Sequence, residues 1–240
     1  MSEVVLRAEK LSKSYTVKQK TILALDGLNI EIKRGEFVAI MGHSGSGKTT
    51  LLNILACLDK ATTGRVMLDD TDVEELRGSE LNKIRRDKIG FVFQSFNLLP
   101  YLNARENVEL AMESSKMSKS ERKSRALELL ALVGLSGREE HRPSELSAGE
   151  QQRVAIARAM ANNPAVILAD EPTGNLDEEN KRGVLNLLVN LNLKQGTTII
   201  VVTHDNQVAG ASERVIRLAR GRIKSEGRGN LARRKEKLPS

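Results

Sequence analysis

The chain has 240 residues, 40% hydrophobic and 29% charged, a composition that buries a sizeable core and excludes a peptide or a disordered scaffold. The formal net charge of +7 sits at the C-terminal end, where residues 214–240 carry ten Lys or Arg against two Glu, a balance of +8 that leaves −1 for everything before them. Two Tyr, four Phe and no Trp leave little from which to build a base-stacking groove, so nucleic acid is not expected as a partner, and the lone Cys57 excludes an internal disulfide or a cysteine metal site.

In chain order, residues 1–10 lack the apolar core of a signal peptide, and the longest apolar runs are strand-sized, well short of the roughly 20 residues that cross a bilayer. The chain is therefore expected on the cytosolic side. Residues 28–33 alternate apolar and polar, which predicts a half-buried antiparallel strand turning at Arg34-Gly35. Residues 37–41, 89–93, 165–169 and 198–202 are almost continuously apolar, as strands covered on both faces are, and helical patterns separate them. That alternation predicts an α/β fold with a mostly parallel sheet and an antiparallel β part at the N-terminal side. Residues 104–134 read as helix throughout, which predicts a helical lobe over about residues 95–160 inserted in the core of one domain, 1–225. Residues 226–240 are expected to form a basic, flexible tail, for whose residues 230–240 a solvated, poorly ordered end is preferred over a contact with a lipid surface.

Gly42-His43-Ser44-Gly45-Ser46-Gly47-Lys48-Thr49 fits the phosphate-binding pattern G-x-x-x-x-G-K-[ST], between a buried strand and a helix opening at Thr50. Glycines at this spacing let backbone amides curl around the β- and γ-phosphates of a nucleotide at a helix N-terminus; Lys48 adds a point charge, and the Thr49 hydroxyl is suited to Mg²⁺. The whole run to Thr50 is expected at the nucleotide, with His43 in a variable position near the phosphates or solvent. Further on, the strand at 165–169 ends in Asp170-Glu171, two acids that a turn in the chain can give separate tasks. Asp170 is expected to hold Mg²⁺, and Glu171 to polarise the water that attacks the γ-phosphate.

Leu146-Ser147-Ala148-Gly149-Glu150-Gln151 resembles the signature Leu-Ser-Gly-Gly-Gln of ATP-binding cassette ATPases, with Ala148 in place of a glycine and Glu150 in place of a glutamine. Ser147-x-x-Glu150 also reads as a capping box before a helix. The resemblance, which covers about residues 1–225, implies the P-loop NTPase core with its helical lobe and MgATP hydrolysis. It also implies a head-to-tail homodimer in which Ser147, Gly149 and Glu150 of one chain meet the ATP held by the other. Under the same resemblance Tyr15 is similar to the aromatic that stacks on adenine, a core aromatic being the other reading. Gln94 resembles the glutamine that senses Mg²⁺ and the attacking water, Asp177 in Gly174-Asn175-Leu176-Asp177 resembles the acid of the interface loop, and His204 resembles the histidine that contacts the γ-phosphate.

Three stretches, Ala56-Cys57-Leu58-Asp59-Lys60, residues 84–94 and Phe96-Asn97-Leu98-Leu99-Pro100, are similar to the subgroup that serves macrolide-export and lipoprotein-release transporters. The subgroup implies a separate integral membrane permease with a large extracytoplasmic domain, moved by an ATPase bound peripherally to the cytoplasmic face of the inner membrane. A non-transport membrane complex of the division-signalling type would carry the same nucleotide motifs, and is the alternative.

Overall fold

The computed structural model of the chain describes residues 3–18 and 20–235. In order the elements are β1 (Val4–Val17), β2 (Lys20–Lys33), β3 (Phe37–Met41), α1 (Lys48–Leu55), β4 (Thr63–Leu68), β5 (Thr71–Asp72), α2 (Gly78–Lys88) and β6 (Ile89–Val92). The second half runs α3 (Ala104–Leu110), α4 (Lys119–Leu132), α5 (Ala148–Met160), β7 (Val166–Asp170), α6 (Glu178–Gln195), β8 (Ile199–Thr203), α7 (Asn206–Gly210), β9 (Arg214–Ala219), β10 (Arg222–Arg228) and α8 (Asn230–Lys235).

Two sheets result. One is antiparallel, in the order β2-β1-β4-β5; the other has the order β10-β9-β3-β8-β7-β6 and is parallel except for the β9–β10 pair. This is the α/β architecture with an N-terminal antiparallel part that the residue pattern predicts. The continuous apolar runs are explained by packing on both faces: Ile199 and Val201 of β8 enter one core cluster with helices α3 to α6, while Ile200 and Val202 enter the other with α1 and the antiparallel sheet. In β2 only the second half alternates, from buried Leu25 to Ile32, because residues 20–23 lie exposed at the hairpin end.

The helical run at 104–134 is two helices, each starting at its own capping box, Asn103 with Glu106 and Ser118 with Glu121. Between β6 and β7 the chain forms helices and turns and no strand. The expected boundary at 225 coincides with no structural break. β10 continues to Arg228 on β9, the Gly229 amide donates to the Glu213 carbonyl, and Leu231 is buried, so the stretch up to 235 is not the loose tail expected of it. The rest of that tail, residues 236–240, lies outside the described residues.

Candidate functional site

The end of β3 delivers the chain into a loop that closes on itself through the Ser46 amide and the His43 carbonyl (3.1 Å) before α1 begins at Lys48. Gly47 makes the entry possible: its φ is 99°, and a Cβ there would lie 2.5 Å from the Ala24 carbonyl oxygen. No side chain caps α1, so its first amides are left to an external acceptor. Ser46 Oγ, buried and without a hydrogen-bond partner, is a second unused polar group in the same cradle. Lys48 Nζ donates to the Gly42 carbonyl at 2.8 Å and the His43 carbonyl at 3.1 Å, which holds the ammonium over the loop. Ser44 and Gly45 form its exposed tip, and the Thr49 side chain is open to solvent beside them.

The parallel strands β7 and β8 end beside this loop. Asp170 is the last residue of β7; burial raises its carboxyl pKa, the neighbouring Glu171 charge adds to the rise, and Lys48 opposes it. At Glu171 the backbone turns out of the strand with φ 44°. Both of its carboxylate oxygens are occupied: Oε1 accepts from His204 Nδ1 at 2.8 Å and Oε2 from the Thr203 hydroxyl at 3.2 Å. A cleft of about 620 Å³ collects Lys48, Gln94, Glu171 and His204 with Gly42, His43 and Ser44. Asn206 and Arg217 also line it, and nothing in their sequence surroundings marks them. Gln94 is tied to the next loop by Asn175, whose Nδ2 donates to the Gln94 carbonyl at 3.0 Å.

The remaining predicted residues lie elsewhere. Ser147 caps α5, accepting from the Glu150 amide at 3.2 Å while Glu150 Oε2 accepts from the Ser147 amide at 2.8 Å. Glu150 Oε1 faces Arg138 Nε at 3.2 Å, and the Ser147 amide foremost holds the Glu150 pKa below its ordinary value. Asp177 caps α6 through the Asn180 amide at 2.8 Å, and Asn180 Nδ2 donates to its other oxygen at 2.9 Å. The Asn180 side chain in turn lies against Gly149, where a Cβ would come within 2.5 Å of Asn180 Cγ. Asn180 therefore ties the predicted signature to the predicted interface acid. Tyr15 is exposed on β1, at the hairpin end of the antiparallel sheet.

A glycine-rich loop between a parallel strand and a helix, facing an acidic strand end across the adjacent parallel strand, defines a P-loop nucleoside triphosphatase. Residues 25–174 match the family model described as ABC transporter, and the chain belongs to that family. It is 51% identical over 226 residues to the uncharacterized ABC transporter ATP-binding protein MJ0796 of Methanocaldococcus jannaschii, covering 92% of this chain and 96% of that one. It is 46% identical over 223 residues to the macrolide export ATP-binding/permease protein MacB of Burkholderia pseudomallei, spanning 93% of this chain and 34% of that one. A solved structure described as a dimeric post-hydrolysis state of the MJ0796 cassette bound to ADP and Pi superposes with a TM-score of 0.85 at 50% identity, covering 93% of this chain and 98% of that one. The chain is thus the ATP-binding, ATP-hydrolysing subunit of an ABC transporter.

Proposed function

We propose that two copies pair head to tail around two ATP molecules, each nucleotide lying between residues 42–50 of one chain and Ser147, Gly149 and Glu150 of the other, and that this pairing drives a separate membrane permease. The observation that carries the reading is the composition of the cleft: the loop, Gln94, Glu171 and His204 line it together, and no residue of the 147–150 segment does. In the proposed pair a second chain brings that segment. The dimer reported for the MJ0796 cassette, bound to ADP and Pi, supports pairing.

Within each site the unfilled α1 amides and Lys48 hold the β- and γ-phosphates, with Ser46 Oγ available as a further donor. Thr49, Gln94 and Asp170 would hold Mg²⁺. The donor set fits: a hydroxyl, an amide and a single carboxylate all offer oxygen, and Mg²⁺ typically takes one or two carboxylates, keeps several waters and shares the phosphates. When bound, the ion neutralises charge developing on the phosphate oxygens. Glu171 accepts a proton from the attacking water as oxygen bonds to the γ-phosphorus and the bond to the bridging oxygen breaks, releasing ADP and phosphate. His204, with Nδ1 committed to Glu171, presents Nε2 to the γ-phosphate. Loss of that phosphate removes a group both chains hold, and the pair opens.

The identity to the macrolide export ATP-binding/permease protein MacB supports a permease partner and a role in export. The large extracytoplasmic domain of that partner, and a peripheral place for this chain on the cytoplasmic face of the inner membrane, rest on the subgroup resemblance of residues 56–60, 84–94 and 96–100. The test is Glu171→Gln. With excess ATP and Mg²⁺ the variant is expected to accumulate as a dimer by light scattering, with turnover lost, whereas a monomer that binds ATP under those conditions rules the pairing out.

A further inference from the structure

The stretch Ala56-Cys57-Leu58-Asp59-Lys60 has no part in the chemistry above, yet one of its side chains reaches the Tyr15 ring. Just past α1 the chain reverses, with Cys57 at φ 57° and the Leu58 and Asp59 amides both donating to the Asn53 carbonyl. Asp59 is thereby fixed to the helix whose N-terminus opens the phosphate loop. Its Oδ2 accepts from the Tyr15 hydroxyl at 2.8 Å, and its Oδ1 accepts from Lys13 Nζ at 2.6 Å. Lys13 also donates to the Lys60 carbonyl at 2.6 Å, and its ammonium lies over the Tyr15 ring, 4.9 Å from the centroid. Two residues apart on β1, Lys13 and Tyr15 share one face of the strand. The ring is the less sheltered of the two: Tyr15 is 38% exposed, the Lys13 side chain 13%.

Resting on the reading of Tyr15 as the adenine platform, we propose that Asp59 and Lys13 are its positioning residues: Asp59 fixes the phenol at its far end, and Lys13 covers one ring face, leaving a single face for the base. A tyrosine near a hairpin end, flanked by exposed residues at 16, 18 and 20–23, depends on such contacts to hold its side chain in one orientation. The anchor also sets a length. Asp59 and the phosphate loop flank the same α1, and the Thr50 side chain on that helix lies against the same phenol. One rigid element thus sets the spacing between base and phosphates. Although burial alone would raise its pKa, Asp59 is held below its ordinary value by Lys13, Tyr15 and the Lys60 amide, so the anchor is an ionised acceptor at neutral pH.

The experiment measures Mg·ADP and inorganic tripolyphosphate affinity by calorimetry on the full chain and on Tyr15→Ala, Asp59→Ala, Asp59→Asn, Lys13→Met and the Tyr15→Ala/Asp59→Ala double variant. Tyr15→Ala is expected to weaken ADP about tenfold, the size of one base–aromatic stack. Asp59→Ala is expected to weaken ADP about fivefold while leaving tripolyphosphate, which has no base, unchanged; Asp59→Asn, which keeps an acceptor, should fall between it and the parent. The double variant should be no weaker than Tyr15→Ala alone. Burial, and after it the bond to Asp59, raise the Tyr15 phenol pKa, so a titration in a Tyr101→Phe background should show it moving part of the way toward its ordinary value in Asp59→Ala. Asp59→Ala that spares ADP while Tyr15→Ala weakens it, or that weakens tripolyphosphate equally, overturns the positioning role. Unchanged ADP affinity in Tyr15→Ala itself overturns the platform reading, and the inference with it.

Discussion

His204 Nδ1 lies 2.8 Å from Glu171 Oε1, and the buried Thr203 hydroxyl holds the other oxygen of the same carboxylate at 3.2 Å while accepting from the Asp205 amide at 3.0 Å. The amide uses the oxygen as acceptor, so the hydroxyl proton is directed at Glu171. Thr203→Val keeps the shape and removes that donor. Turnover is expected to fall about tenfold with KM for ATP unchanged, and the Asp205 amide left without an acceptor should lower stability by about 1–2 kcal/mol. Steady-state kinetics beside a denaturant melt separate the two effects, and an unaltered kcat would mean that the hydroxyl does not orient the carboxylate.

Asp170→Asn should behave in opposite ways with and without nucleotide. Burial, with Glu171 beside it, raises the Asp170 pKa in the folded chain. The folded state therefore keeps that proton to higher pH than the unfolded state, whose value is about 3.9. Below about 3.9 the group is protonated in both states and costs nothing; across the window up to the raised value stability declines, and above it the penalty is complete. Asp170→Asn is accordingly expected to melt higher than the parent at neutral pH without nucleotide, the advantage shrinking as pH falls through that window, and to lose ATP hydrolysis. A variant that melts lower at neutral pH would show that the carboxylate is stabilised by its surroundings.

Gly149→Ala tests the link between the two predicted interface segments. The added Cβ would sit 2.9 Å from Asn180 Cβ and 2.5 Å from its Cγ, so Asn180 has to turn away from Asp177. Overpacking of this kind costs about 1–3 kcal/mol. Loss of the Asn180 side-chain bond should also reduce ATP-induced pairing in a Glu171→Gln background. Pairing retained at full strength in the variant would show that the Gly149–Asn180 contact is only packing.

The phosphate loop, the acidic strand end and the capping box at Ser147 were legible because their spacing is fixed by local geometry: a turn around phosphates, a strand end, three residues from cap to acid. The parallel strands were legible because burial on both faces leaves continuous apolar runs. What stayed hidden depends on partners distant in sequence. β10 is an exposed edge strand whose residues read as a charged tail, and only its register with β9 makes it a strand. The first half of β2 is exposed, and bulges in its pairing with β1 break the alternation that would mark it. Asn180, Thr203 and Asp59 carry ordinary side chains in ordinary places, and their roles appear only when a partner 31, 32 or 44 residues away is set beside them.

Arg158 offers a test of how α5 is connected to the loop after Gln94. It is partly buried, burial lowers its pKa, and its guanidinium donates to the carbonyls of Asn97 and, at 2.8 Å, Phe96. Both of those residues have left-handed backbones, φ 60° at Phe96 and 50° at Asn97, a conformation that non-glycine residues hold only when their surroundings impose it. Arg158 bonds both carbonyls, and it reaches from the helix that Ser147 caps to a loop two residues beyond Gln94. Arg158→Met keeps the bulk and removes both donors. It should lower the melting temperature by about 5 °C, the shift expected for about 2 kcal/mol in a chain of this size. Amide exchange across residues 94–98 should quicken more than in the rest of the core. Arg158→Lys, whose single ammonium lacks the guanidinium fork, should recover only part of the loss. Exchange in that loop unchanged from the parent would show that Phe96 and Asn97 are held by the packing of Leu98 and the Asn107 bonds at Leu99 and Leu102, with Arg158 merely resting against them.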